Sequence, residues 1–238
     1  MLRLITRLTK LQIPEEKTKS FWFYTITEFV FIILGILIAL QINNWNDNRK
    51  EKLLEEKILK EFLVNLKENA ENFEVDINYL QTFINSTQIV LDHIVNQKPY
   101  NDSLAYHFGH MYGTSIISNN NAAFESLKSI GIDLIRDDNI RSKLVSLFDD
   151  RYNYHAVIQE TEIKFLQEQL YVSISEELDM IELYEKAIPL NYSELHKNNK
   201  FIQDLKMNID MKGYMIIANK SVLTLTNDLI VEIKEYLK

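Results

Sequence analysis

His107 and His110 stand three residues apart in SLAYHFGHMYG, so a helix there would turn both imidazoles to one face, with Asp102 or Glu125 as conceivable oxygen ligands to a metal. The pair lacks the acidic residue that follows the first histidine of a zinc-protease helix, and Gly109 and Gly113 interrupt the segment, so a polar helix face is the plainer account. His93, His155 and His196 stand alone and read as structural. No GxGxxG, HExxH or GxSxG occurs, nor any GxxxxGK followed by Ser or Thr, which withholds support from phosphate cradles, zincin chemistry and serine hydrolysis. Without cysteine there is no disulfide, no thiol nucleophile and no thiolate metal site. Tyr152, Tyr154, Phe165 and Tyr171 suit core packing better than a ligand cleft. The expectation is a chain with no catalytic residue and no cofactor. The alternative is a ligand-binding receptor or metal-dependent enzyme using a cleft near His107 and His110.

Glu28 is the other chemically telling residue, because it is the only charge between Lys19 and Asp47. A carboxylate inside an apolar span is costly and normally faces protein or water. At helical spacing Thr25, Glu28, Ile32, Gly35 and Ala39 share one face, where the Gly35-xxx-Ala39 small pair lets another helix approach closely and cover the carboxylate. That face is the predicted interaction surface. The competing reading has Glu28 snorkel to the lipid headgroups.

The element that carries Glu28 reads as a transmembrane signal anchor over residues 21–45. A helix from Phe21 to Ile42 spans about 33 Å at about 1.5 Å per residue, matching a hydrocarbon core of roughly 30 Å. Trp22 and Tyr24 at one end and Trp45 at the other are the interfacial anchors. The run ends in Ala39, Leu40, Gln41, Ile42 and Asn43, which lacks the small-x-small pair of a signal-peptidase site, so it should stay uncleaved. Residues 1–20 set Leu4, Leu8 and Leu11 against Arg3, Arg7 and Lys10, a basic amphipathic tail suited to an anionic leaflet before Pro14 stops it. Basic residues tie across the two flanks. The short tail is more easily retained, so the N-terminus is expected in the cytoplasm and the following domain in the periplasm, anchored to a bacterial inner membrane.

Residues 46–238 are long enough for one good core, and 46% hydrophobic with 25% charged residues over the whole chain is ordinary for a globular fold. The net charge of -8 divides into +3 for residues 1–20 (five basic, two acidic), -1 for Glu28 and -10 for the rest (21 basic, 31 acidic). So acidic a domain should repel nucleic acid and anionic lipid. Few Gly and Pro follow the anchor, so the elements are long. Leu54, Ile58, Phe62, Leu66 and Phe73, continuing to Ile94, recur near a 3.6 period and predict a helix able to run straight on from the anchor. Further helices are expected over 103–117, around Phe124 with a stop at Gly131, from an Asp137 or Asp138 cap through Leu170 and on through Leu178 and Ile181, and from a Ser193 cap to the end with an irregularity at Gly213. The stretch 214–226 has the Ile, Val and Thr of a strand, but lacks a partner strand and is taken as helix. The fold class is therefore all-α: one N-terminal transmembrane helix continuing into an extramembrane helical bundle of about four long helices.

EFVFIILGILIALQINNWN, from Glu28 to Asn46, and AFESLKSIGIDLIRDDNIRSKL, from Ala122 to Leu144, resemble in order and spacing the two signatures of a Bacteroidota family catalogued as domain of unknown function 6090. Ile130 and Ile132 depart from the second pattern, where relatives carry a small residue and Asn. The resemblance implies a membrane-anchored, mostly helical protein and carries over no catalytic residue. With it the functional expectation is a non-catalytic single-pass protein whose domain serves as scaffold, accessory subunit or sensor. Its partners would be membrane lipid and either further copies of itself or a membrane complex.

Overall fold

The structure is a computed structural model that describes residues 15–238, with side chains from Ile26 onward. The expected amphipathic tail therefore lies outside the described residues for most of its length. Helix dominates, and the chain divides into two compact units, residues 1–54 and 55–238. Helix α1 (Glu15–Val95) contributes residues to both.

In the first unit the part of α1 from Ile26 to Trp45 is long and apolar enough to cross a membrane, and its most apolar stretch has no buried residue. At its end Asn43 donates to Asp47 at 3.0 Å and Lys50 to the same carboxylate at 3.3 Å, one-turn contacts that mark the return of polar sequence.

In the second unit three long helical runs are described: 55–95, 138–177 and Asn199–Tyr236. The first is the remainder of α1. Its deepest residues, Leu59, Phe62, Leu66, Phe73, Leu80 and Val90, carry the period seen in the sequence. After it come α2 (Leu104–His110), shorter than expected because 114–121 is non-helical, and α3 (Ala122–Ile130), which stops at Gly131. The Gly131 φ of 123° lies where a side chain would be strained, which is why the helix ends on glycine. The second run is α4 (Asp138–Val145), a π-helical segment (Ser146–Arg151), α5 (Tyr152–Phe165), a second π-helical segment (Leu166–Leu170) and α6 (Tyr171–Glu177). Asp137 caps it by accepting from the Ile140 amide at 2.9 Å, as expected.

That run does not continue through Leu178 and Ile181. The chain turns extended at Leu178 and forms a hairpin, β1 (Leu178–Glu182) antiparallel to β2 (Lys186–Pro189), with Leu178 opposite Pro189 and Met180 opposite Ala187. Gly109 of α2 explains the difference, because a Cβ there would lie 2.4 Å from backbone atoms of Glu185 and Lys186. Only glycine lets the hairpin backbone sit against α2. A 3₁₀ turn (Tyr192–Lys197) leads to α7 (Asn199–Tyr236). Its cap is Asn198, accepting from the Phe201 amide at 3.0 Å, and not Ser193, whose hydroxyl bonds Asn191 inside the 3₁₀ turn. Helix α7 passes Gly213 without a break, and 214–226 is helical as expected.

Candidate functional site

Along α7 the most deeply buried positions are Phe201, Leu205, Asn208, Lys212, Met215, Asn219, Val222, Thr226, Leu229 and Ile233, at strictly alternating spacings of four and three. Four of these are polar. The inner stripe of α1 does the same, with Asn69, Asp76 and Thr87 among its apolar residues, and α5 places His155 and Glu162 beside Ile158. The sequence thus builds a column of polar side chains down the interior of the second unit.

The column is arranged in layers. At one end Glu55, 2% exposed, accepts from the Arg136 amide at 2.8 Å and the Tyr236 hydroxyl at 2.9 Å. Next, Asn65 accepts from the Ala123 amide at 2.8 Å, and Asn69 accepts from the Asn120 amide at 2.7 Å while donating to the Tyr152 hydroxyl at 3.2 Å. These two asparagines tie the start of α3 and the non-helical stretch before it to α1. Aromatic rings fill the space around them, with Phe124 stacked on Phe148 at 4.8 Å and Phe73 edge-on to His155 at 5.2 Å.

In the third layer Asn219 joins three helices: its amide donates to Asp76 Oδ2, and its oxygen meets His155 Nε2. Asp76 Oδ1 makes no hydrogen bond of good geometry. Burial pushes the Asp76 carboxyl above the ordinary carboxylate range, with Ser115, Asn219 and His155 opposing. Burial also holds the His155 imidazole below its ordinary range, against the pull of Asn219 and Asp76.

The fourth layer holds a fully desolvated ion pair. Lys212, 0% exposed, donates to Glu162 Oε1 at 2.8 Å and to Asn208 Oδ1 at 2.7 Å, and Thr114 donates to Glu162 Oε2 at 2.7 Å. Asn208 donates onward to the Met111 carbonyl at 2.7 Å, which also accepts from Thr87 at 3.0 Å. Desolvation lowers the Lys212 ammonium, and the Glu162 charge resists it. Beyond this layer an apolar cluster with Val90, Phe108, Leu170, Leu195, Phe201 and Leu205 closes the core. Neither Lys212 nor Glu162 has enough exposed surface for a substrate to touch their charged atoms without opening the helices. In this state the column is structural chemistry: it fixes which residues of three helices face one another.

His107 and His110 lie on α2 but do not converge on one point. His107 Nδ1 bonds Ser86 at 3.2 Å, whereas His110 stacks on Tyr106 at 3.9 Å and points Nε2 to Glu185, 4.0 Å away. Burial, with His110 and His93 nearby, holds His107 below the ordinary histidine range. Among the described residues no group of three or more His, Asp or Glu side chains is placed to hold a metal. The aromatic cluster separates: Tyr152 and Phe165 are core, Tyr154 sits on the rim of an open groove of about 400 Å³ with Tyr214, and Tyr171 lines a second cleft with Tyr112 and Tyr184.

On the apolar helix, Glu28, Ile32, Gly35 and Ala39 are exposed on one side, and a Cβ on Gly35 would meet nothing within 4 Å. Trp45 is 65% exposed at the far end. The side chains of Thr25, Trp22 and Tyr24 lie outside the described residues.

The polar column does not announce itself in the sequence, because Asp, Asn and Lys between apolar residues of a helix ordinarily belong to a solvated face. The signal was present in the spacing: Asn208, Lys212, Asn219 and Thr226 fall in step with the apolar residues around them. Comparison of the chain with family models, curated proteins and solved structures returns no match.

Proposed function

We infer that this chain is a membrane-tethered helical module that works through contacts with other proteins, as a scaffold, accessory subunit or sensor. The observation that carries this reading is the uncovered apolar part of α1: Phe29, Phe31, Ile38 and Ile42 are each more than half exposed, a surface that water does not tolerate and a bilayer does. The resemblance of the Glu28–Asn46 run to the domain 6090 family points to the same architecture. On this reading the chain crosses an inner membrane once, with residues 1–20 in the cytoplasm and 46–238 in the periplasm. Glu28, Ile32, Gly35 and Ala39 form the side of the span that meets a second helix, from another copy or from a membrane complex. Support for that face comes from Gly35, where a Cβ would meet nothing within 4 Å among the described residues.

The test is capture of the intact, tagged chain from detergent-solubilised membranes, with protease applied to spheroplasts beforehand. The expected result is a discrete set of co-purifying membrane proteins, or stoichiometric self-association, with the domain removed by external protease. Recovery in the soluble fraction would defeat the tether. Full protection from protease would reverse the orientation. Stoichiometric zinc or iron that disappears with His107→Ala and His110→Ala would favour the metal-dependent alternative.

A further inference from the structure

The hairpin is the one described part of the second unit that turns a strand edge and large apolar side chains outward together. Among the described residues β1 pairs with β2 alone, so its other edge keeps unpaired backbone donors and acceptors. Ile181 and Leu183 are 52% and 65% exposed, and Leu190 just after β2 is 63% exposed. A cleft of about 260 Å³ adjoins β1, lined by its Leu178 and Met180, by Leu183 and Tyr184 of the turn and by Ile174 of α6; no β2 residue lines it. The arrangement is held in place. The Tyr184 amide donates to the buried Tyr112 hydroxyl at 3.1 Å, fixing a turn residue at φ 61°, and Gly109 admits the hairpin backbone against α2.

Charge says what fits. Between Glu176 and Lys186 the chain carries five carboxylates and one lysine. Among the described residues Glu176, Asp179 and Glu182 form no ion pair. Edge-to-edge pairing of two copies would set these carboxylates against one another, which is unfavourable. A basic strand would be attracted. We propose that the outer edge of β1 is a docking site for an extended segment of a partner protein that alternates apolar residues with Lys or Arg and places one apolar side chain in the cleft beside Met180. Backbone pairing would supply affinity, the cleft and the acidic flank selectivity. The proposal rests on the reading of a module that acts through protein contacts, but not on its membrane tether or on the Glu28 face.

The full chain in detergent is titrated with a fluorescein-labelled peptide of alternating Lys and Val with a central Leu, and with the same peptide carrying Glu for Lys. Saturable binding of the Lys peptide is expected, weakened about tenfold or more in the Glu peptide. In the double variant Asp179→Lys, Glu182→Lys, whose changed residues are exposed and unpaired, the preference should reverse. N-methylation of alternate peptide amides tests strand addition: one phase should abolish binding and the other spare it. Equal binding of both phases, an unchanged preference in the double variant, or no binding of the Lys peptide to the wild type would each overturn the proposal. Because the chain has no cysteine, Ile181→Cys reports on the other occupant. A disulfide dimer formed rapidly through that position would mean that a second copy, not a basic partner, covers the edge. Loss of peptide binding with co-purification of membrane proteins intact would defeat this docking site and leave the broader reading standing.

Discussion

The two units solve opposite problems. Between Ile26 and Trp45 the apolar side chains face outward and nothing in the described chain covers them, whereas in residues 55–238 a column of polar side chains is buried and nearly all of its described polar atoms find partners there. Helical backbone serves both, since it satisfies its own donors and acceptors whether the surroundings are lipid or core. What differs is where each unit obtains specificity. A column that includes Asp76, Glu162, Lys212 and Asn219 discriminates among packings inside the chain. The proposed face with Glu28 and Gly35 would discriminate only among partners outside the chain.

The sharpest way to break this comparison is to unpair the buried charge. Lys212→Met leaves Glu162 desolvated with Thr114 as its remaining partner, and should cost about 3–5 kcal/mol in denaturation followed by circular dichroism. Adding Glu162→Leu should return most of that loss, because the column gains its value from matching and not from charge as such. If the double variant is as unstable as the single, the pair contributes net stability and the contrast weakens.

Gly109→Ala comes next. The added methyl must displace the backbone of Glu185 and Lys186, at a cost of about 1–3 kcal/mol, and should free the hairpin while helix content stays near the wild-type value. Loss of helix throughout would show that the hairpin is part of the core and not an attachment to it.

On the apolar helix the effects are smaller. Gly35→Leu should weaken association in the membrane most, Glu28→Gln by well under about 2 kcal/mol, and Leu34 or Leu37 substitutions on the other side scarcely at all, read as crosslinking yield at equal expression. Equal losses on both sides would leave the segment as an anchor only.

The pH dependence should be the subtlest. His155 titrates lower in the folded chain than its ordinary 6.5, so the stability linked to its neutral form is complete above that value and declines as pH falls below it. Asp76 titrates higher than its ordinary 3.8, so folding disfavours its carboxylate and stability is recovered as acid protonates it. The two oppose. His155→Gln should flatten the loss of stability on acidification from about pH 6.5, and Asp76→Asn should steepen it.

Much of the backbone was legible in the sequence. The helical period of 55–95, the stop at Gly131 and the Asp137 cap each follow from a local rule, and each appears where expected. The hairpin was not legible for two reasons. Leu178 and Ile181 also fit a helical period, and the Tyr184 turn uses neither Gly nor Asn, the residues that announce positive φ. Its packing depends on a residue about seventy positions upstream, Gly109, a tertiary constraint that no local window contains. The polar column was hidden differently: a lysine in a helix is usually solvated, and only the unbroken spacing of Lys212 with its apolar neighbours sets it apart.

The two π-helical segments have a genetic consequence. Across them Leu144, Phe148 and Tyr152, and again Glu162, Leu166 and Leu170, are buried at successive steps of four, with Leu147 and Phe165 buried beside them, where an α-helical stripe would alternate three and four. Each segment therefore holds one residue more than its turn requires. Elsewhere in the run a single-codon deletion would rotate everything downstream by about 100° and turn His155 or Glu162 out of the core. Within Ser146–Arg151 or Leu166–Leu170 it would restore ordinary α-helical spacing with the inner stripe still facing inward, so these are the two places in this run where the gene can lose one codon without losing the frame of the interior.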